Sequence, residues 1–172
     1  LHSMMKRDGR TTFLEVVSAS EEESIRSAKA AIELGVDFLI GGTYIKSTLP
    51  LLEGTDIRYF PYVGHIVDHP CKLRGKIEEI VEDTRRVKEM GIPGINLLAY
   101  RYNGNADELI REVSRIGLPM IVAGSIDSYE RVRKMKEFGV WAFTIGGAIF
   151  DKKFVPEGSL SDNISAVLKE IE

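Results

Sequence analysis

Four stretches of the chain share one pattern. A polar, amphipathic segment ends in glycine, and a short continuous apolar run follows: ELGVDFLIGG, EMGIPGINLLAY, RIGLPMIVAGS and EFGVWAFTIGG. Gly35, Gly91, Gly117 and Gly139 stand where a helix C-terminus calls for left-handed backbone. The runs after them do not alternate with polar residues, so they read as strands covered on both faces. TFLEVVS and IRYFPYVGHI fit the pattern less cleanly and bring the set to six strands.

Between the apolar runs lie amphipathic segments with helix-start signals. Ser20 and Glu23 have the spacing of a capping box, and Asn105 offers an N-cap three residues before Glu108. GKIEEIVEDTRRVKEMG and SYERVRKMKEFG carry apolar residues at helical intervals, and SDNISAVLKEIE closes the chain as a last helix. Strand and helix alternate, which predicts an α/β fold with a parallel sheet and right-handed crossovers. Two architectures satisfy this, a (β/α)8 TIM barrel and an open doubly wound sheet. Six strands fall short of a barrel of ~250 residues. The start, LHSMMKRDG, reads as the tail of a helix or as residues left by cloning, so one or two preceding βα units are expected to be missing. Residues 1–172 are expected to form a single, partial barrel domain.

Composition narrows this picture only slightly. The chain has 172 residues, is 44% hydrophobic and 28% charged, and carries a formal net charge of -3. That is the makeup of one globular domain without a basic field for nucleic acid. The run RVRKMK, Arg131 to Lys136, reads as a solvated helix face. No apolar run approaches the ~20 residues of a membrane span, and no secretion signal is evident. With a single cysteine, Cys71, the expected setting is cytoplasmic.

The feature that needs a chemical reason is a pair of glycine-bearing strand ends in adjacent units. VAGS places Gly124 and Ser125 after one strand; TIGGA places Gly146 and Gly147 after the next. Bare backbone there lets phosphate oxygens approach the amides, as at the last two strands of phosphate-binding barrels. Tight turns without a ligand are the alternative. Over residues 118–150, PMIVAGS and FTIGGAIF, the sequence resembles the ribulose-phosphate-binding barrel superfamily, with N-acetylmannosamine-6-phosphate epimerases and 3-keto-L-gulonate-6-phosphate decarboxylases as the nearest likenesses. The resemblance implies a (β/α)8 barrel acting on a small phosphorylated sugar or sugar acid by proton transfer beside a carbonyl, as isomerase, epimerase or lyase, without a cofactor. A phosphometabolite-binding regulator similar to the glycerol-responsive antiterminator barrels is the other reading. The early-strand lysine of the epimerases and the Asp-x-Lys-x-x-Asp strand of the decarboxylases are both absent, and FLEVVSAS supplies only a glutamate.

The strand ends ring one mouth of a barrel, so candidate chemistry is expected there. Glu15 interrupts an apolar strand, and strand parity leaves open whether it points inward. Glu15 as base, Lys46 as the cation for an oxyanion, and His65 as an acid or base at a strand end form the catalytic set. Gly124, Ser125, Gly146 and Gly147 are expected to hold phosphate. Asn96, Tyr100 and Arg101 are further substrate contacts, Arg101 through its forked donors. His65, Asp68, His69 and Cys71 share one loop but match no metal-ligand spacing, so no metal is assigned. A small phosphorylated metabolite and a second copy in a homodimer are the expected partners, with neither nucleic acid nor membrane.

Overall fold

A computed structural model describes residues 1–18, 20–68 and 70–172. Strands β1 (Phe13–Val16), β2 (Phe38–Gly41) and β3 (Arg58–Phe60) form one parallel sheet, with Glu15 opposite Ile40 and Val16 opposite Gly41. After the hairpin strands β4 (His65–Val67) and β5 (Lys72–Arg74), strands β6 (Ile95–Leu97), β7 (Met120–Val122) and β8 (Ala142–Phe143) form a second parallel sheet. A parallel bridge from Tyr62 to Asn96 joins the two, with the Asn96 amide donating to the Pro61 carbonyl at 2.8 Å. The result is one curved sheet in the order β1-β2-β3-β6-β7-β8, as the alternating pattern predicts.

The curvature is that of a barrel wall. Phe38, Ile40, Phe60 and Ile121 pack together although they come from strands β2, β3 and β7, which are not all neighbours. Trp141, just before β8, sits with its ring centroid 5.5 Å from Phe38 and 5.3 Å from Phe60. Side chains meeting across the hollow of the sheet in this way fill the interior of a β/α barrel. Phe13 stacks on Phe38 at 4.4 Å and belongs to the same layer. Two residues along, on the same side of the pleat, comes Glu15. Its inward direction, open in the sequence, is settled by that register.

Helices cover the outer face. Those after β1, β2, β6 and β7 are α2 (Glu21–Leu34), α3 (Ile45–Leu52), α5 (Ala106–Ser114) and α6 (Tyr129–Glu137). Helix α4 (Ile77–Glu89) follows the hairpin, while short α7 (Gly147–Phe150) and α8 (Leu160–Ile171) follow β8; α1 (His2–Arg7) opens the chain. The expected caps are present. Ser20 and Glu23 form a reciprocal box, and Asn105 accepts from the Glu108 amide at 3.2 Å. Gly35, Gly91, Gly117 and Gly139 all take left-handed backbone. The main core lies between sheet and helices, where Leu73, Ile95, Leu97, Leu109, Ile110 and Val122 are fully buried.

Asp37 fastens the start of β1 to β2. Its carboxylate accepts from the Thr12 amide at 2.7 Å and hydroxyl at 2.9 Å and pairs with Lys6 at 2.7 Å. The Lys6 ammonium first, and Thr12 after it, hold the carboxyl down at about 2.

One expected strand is divided. IRYFPYVGHI ends as β3 at Phe60, and His65 belongs to an antiparallel hairpin in which it faces Arg74. The cause is Gly64, at φ +77 with Leu73 and Ile80 packed where a Cβ would project. Left-handed backbone there turns the chain out of the barrel wall. Among the described residues no helix is long and apolar enough to cross a membrane.

Candidate functional site

A cavity of about 460 Å³ opens at the C-terminal end of the strands. Glu15, Tyr62 and Arg101 line it together with Gly124, Ser125, Gly146 and Gly147. The two glycine turns therefore stand side by side at one mouth. Gly124 and Ser125 are both left-handed, at φ +80 and +57. The aliphatic part of Arg101 lies against Gly124, so that a Cβ there would come within 2.8 Å of Nε. Among the described residues, the amides of Gly124, Ser125, Ile126, Gly146 and Gly147 donate to no protein acceptor. Backbone N–H groups left unengaged in a concave mouth are donors waiting for an external acceptor.

The charges around this mouth are mixed. Arg101 and Lys153 are its cations. Asp127 already pairs with Arg131 at 2.8 Å, whereas Asp151 stands near Gly147 with no cation in pairing range among the described residues. The Arg101 guanidinium likewise has no ion pair or hydrogen bond among the described residues, and its charge acts on the Glu15 carboxyl.

Much of Glu15 is reachable by water, yet the protein around it raises its carboxyl above the ordinary 4.5. Burial is the main cause, offset in part by the Asn96 amide and then by the Arg101 guanidinium. Asn96 is fully buried, and neither of its polar side-chain atoms reaches hydrogen-bond geometry with any described residue. The neighbouring Tyr62 hydroxyl is raised by burial first and by the Glu15 charge second. Burial also pushes the Cys71 thiol up.

These shifts carry a pH dependence of known sign. The folded state keeps the Glu15 proton to higher pH than the unfolded chain, so this group's contribution is full below 4.5 and is lost as pH rises through the folded value. Glu15→Gln is expected to melt at higher temperature than the parent at pH 7 and at the same temperature below pH 4.5. Thermal melts at the two pH values check this, and a lower melting temperature for the variant at pH 7 contradicts it.

The sequence-derived candidates separate into two groups. Glu15, Arg101 and the four phosphate candidates meet in one cavity, while Asn96 is buried outside its wall and acts on the Glu15 carboxyl. Lys46 does not join them, because α3 begins at Ile45 and leaves Lys46 exposed on its first turn. His65 is exposed on the hairpin, in a separate cleft with Gly64, Arg74, Glu79 and Asp83. Tyr100 lies under the guanidinium of Arg131, 4.6 Å from ring centroid to Cζ, outside the cavity wall. His69 lies outside the described residues, and no group of three metal-ligating side chains occurs among those described. Sequence reasoning passed over Tyr62, Ile126 and Lys153, all in the wall. Ile126 and Lys153 had one available signal, their closeness in sequence to the glycine turns.

No family model matches the chain, and no curated protein sequence matches it. Its likeness is to solved folds. A mandelate oxidase variant with a C4a-OH-FMN adduct superposes with a TM-score of 0.67 at 16% identity, over 99% of this chain and 60% of that one. Mandelate oxidase with 3,3-difluoro-2-hydroxy-3-phenylpropionic acid gives 0.62 at 15%, over 99% and 58%. A BexX/CysO complex from Amycolatopsis orientalis gives 0.63 at 20%, over 95% and 68%. The fold is a partial β/α barrel. This chain spans about three-fifths of the mandelate oxidase chains it matches.

The same comparisons correct the family assignment. Mandelate oxidases with FMN adducts share this fold, and they stand where residues 118–150 had suggested epimerases and decarboxylases. The sugar-phosphate isomerase or lyase reading, and the antiterminator-like regulator beside it, fall with that resemblance. The physical reason is plain: two bare turns at adjacent strand ends suit any phosphate ester, whatever chemistry happens at its other end.

Proposed function

We propose that this chain is the flavin-binding part of a redox enzyme, taking flavin mononucleotide into the strand-end mouth with its phosphate on the Gly124–Ser125 and Gly146–Gly147 turns. The observation that carries the reading is the set of unengaged amides on two adjoining turns, with Arg101 and Lys153 beside them. Mandelate oxidases with FMN adducts on the same fold name the phosphate ester.

The residues present fit such a group. A cavity of about 460 Å³ lies within the ~300–1,000 Å³ usual for small-molecule sites. At the turns, backbone amides and the Arg101 guanidinium provide charge-assisted donors for a dianion. Asp151 repels it on the Gly147 side, so the favoured seat lies toward Gly124 and Arg101. Elsewhere in the wall, Val16, Tyr62, Leu98 and Ile145 offer apolar surface to a planar ring. When bound, a flavin supplies a two-electron acceptor for substrate hydride. Glu15, with its raised carboxyl and its place in the wall, holds the proton released from an oxidised hydroxyl group. The Arg101 guanidinium favours the carboxylate form of Glu15, the form that accepts this proton and becomes neutral on doing so.

Equilibrium dialysis of the 172-residue chain against flavin mononucleotide and against riboflavin, which lacks the phosphate, tests the reading. Mononucleotide is expected to bind at least tenfold tighter, and inorganic phosphate to displace it. Equal affinity for the two flavins removes the phosphate seat, and no binding of either at millimolar concentration removes the flavin.

A further inference from the structure

Within the segment RVRKMK, Val132 and Met135 are buried in the core, and among its charged side chains Arg131 is more than a solvated cation. Arg131 donates through Nη1 to the Ser125 carbonyl and, at 2.8 Å, to the Asp127 carboxylate, while its guanidinium stacks 4.6 Å from the centre of the Tyr100 ring. Two elements hold it there. The Arg131 amide donates to the N-cap hydroxyl of Ser128, which fixes the first turn of α6 beneath the Gly124–Ser125 turn. The Tyr100 hydroxyl donates to Asp107 at 3.5 Å, and Asp107 pairs with Lys134 at 2.7 Å, tying the stacking ring to the same helix.

We infer that Arg131 is a positioning residue for the anion seat. Ser125 holds a left-handed conformation, φ +57, that a residue with a Cβ adopts only when its surroundings over-determine it. Arg131 does not line the cavity, whereas Ser125 and Ile126 do, so it grips the Ser125 carbonyl from behind the wall. In a trans peptide the carbonyl and the following N–H point in opposite directions. Pulling the Ser125 oxygen toward α6 therefore turns the Ile126 amide toward the mouth, and that amide donates to no described acceptor. The stack on Tyr100 keeps the guanidinium plane fixed, which a freely rotating surface arginine would not provide.

The inference rests on reading the two turns as an anion seat, but not on the flavin. Arg131→Met keeps the aliphatic stem and removes the fork. It is expected to weaken both flavin mononucleotide and inorganic phosphate roughly tenfold, the worth of one net charge-assisted hydrogen bond, and to leave riboflavin unchanged. Arg131→Lys, with a compact ammonium in place of the planar fork and no planar stack, is expected to restore part of the loss, and Tyr100→Leu to reproduce most of it. The Ile126 amide resonance should shift on phosphate addition in the parent and much less in Arg131→Met.

Parent-like phosphate affinity in Arg131→Met overturns the positioning role and leaves the seat standing. A matching loss of riboflavin affinity, or a collapsed melting transition, shows general damage and overturns it as well. If the parent binds phosphate but no flavin, the flavin proposal alone fails, and the tenfold phosphate loss still decides the role of Arg131. If the parent binds neither phosphate nor flavin, seat and inference fall together.

Discussion

Gly41→Ala is expected to destabilise the fold by about 3 kcal/mol or more, the sum of left-handed strain and overpacking. Gly41 ends β2 at φ +94, opposite Val16, and a Cβ there would lie 2.0 Å from the Val16 carbonyl oxygen. That atom is backbone in a paired strand and cannot swing aside. The Tyr62 ring closes the other side, with Cε2 3.1 Å from the same point. Relief requires β1 to separate from β2, which moves Glu15 and opens the cavity wall. Against a typical total of ~5–15 kcal/mol, such a loss leaves a marginal domain. Gly35→Ala is the control: φ is similar, at +67, but nothing lies within 4 Å of its Cβ position. It should cost only the left-handed term, about 1–2 kcal/mol. Urea unfolding followed by circular dichroism separates the two, and equal midpoints would refute the steric account.

Those two glycines also mark what sequence reasoning reaches. Gly35 was legible because a helix C-terminus has one common left-handed solution and an amphipathic segment leads into it. The same local logic yields the Ser20–Glu23 box, the Asn105 cap and the six parallel strands, each fixed by neighbours a few residues away. Gly41 carries no such mark, since the atom that demands it belongs to a strand 25 positions earlier. Apolar periodicity was silent about Gly64 for a similar reason. YVGHI continues the run RYF without a polar break, yet Leu73 and Ile80 pack where its Cβ would be and the chain leaves the sheet. His65 went with it.

For the site, proximity along the chain worked where the fold keeps successive strand ends together. Gly124, Ser125, Gly146 and Gly147 lie in adjacent parallel units, and they meet. Lys46 failed because three residues after a strand end were enough to start a helix and turn the side chain to solvent. Arg131 went unrecognised as more than surface charge because its partners, the Ser125 carbonyl and the Tyr100 ring, are contributed by two different turns. What no residue pattern carried was which ester to propose: amides suited to phosphate are indifferent to the sugar or the ring beyond it.

Gly124 joins stability and ligand in one residue. Gly124→Ala is expected to weaken flavin mononucleotide about a hundredfold, or about 2.7 kcal/mol. The new Cβ would stand 2.8 Å from Arg101 Nε, 2.9 Å from Cδ and 3.2 Å from Cγ. Arg101 is a flexible side chain, so it moves rather than the turn, and the guanidinium leaves the seat. A hydrogen bond to a charged group is worth ~1.5–3 kcal/mol, and left-handed strain at φ +80 adds to the loss by loosening the amides. Gly117→Ala provides the comparison, since φ +70 imposes similar strain at the end of α5, where nothing lies within 4 Å. Its affinity should match the parent. In the proposed binding mode the lost donor serves the phosphate, so riboflavin should bind Gly124→Ala and the parent alike. Calorimetric titration of both flavins into the three proteins makes the comparison. A Gly124→Ala protein that is folded and binds flavin mononucleotide like the parent would place the phosphate away from this turn, and Arg101 would then need another anion to explain its unpaired charge in the cavity wall.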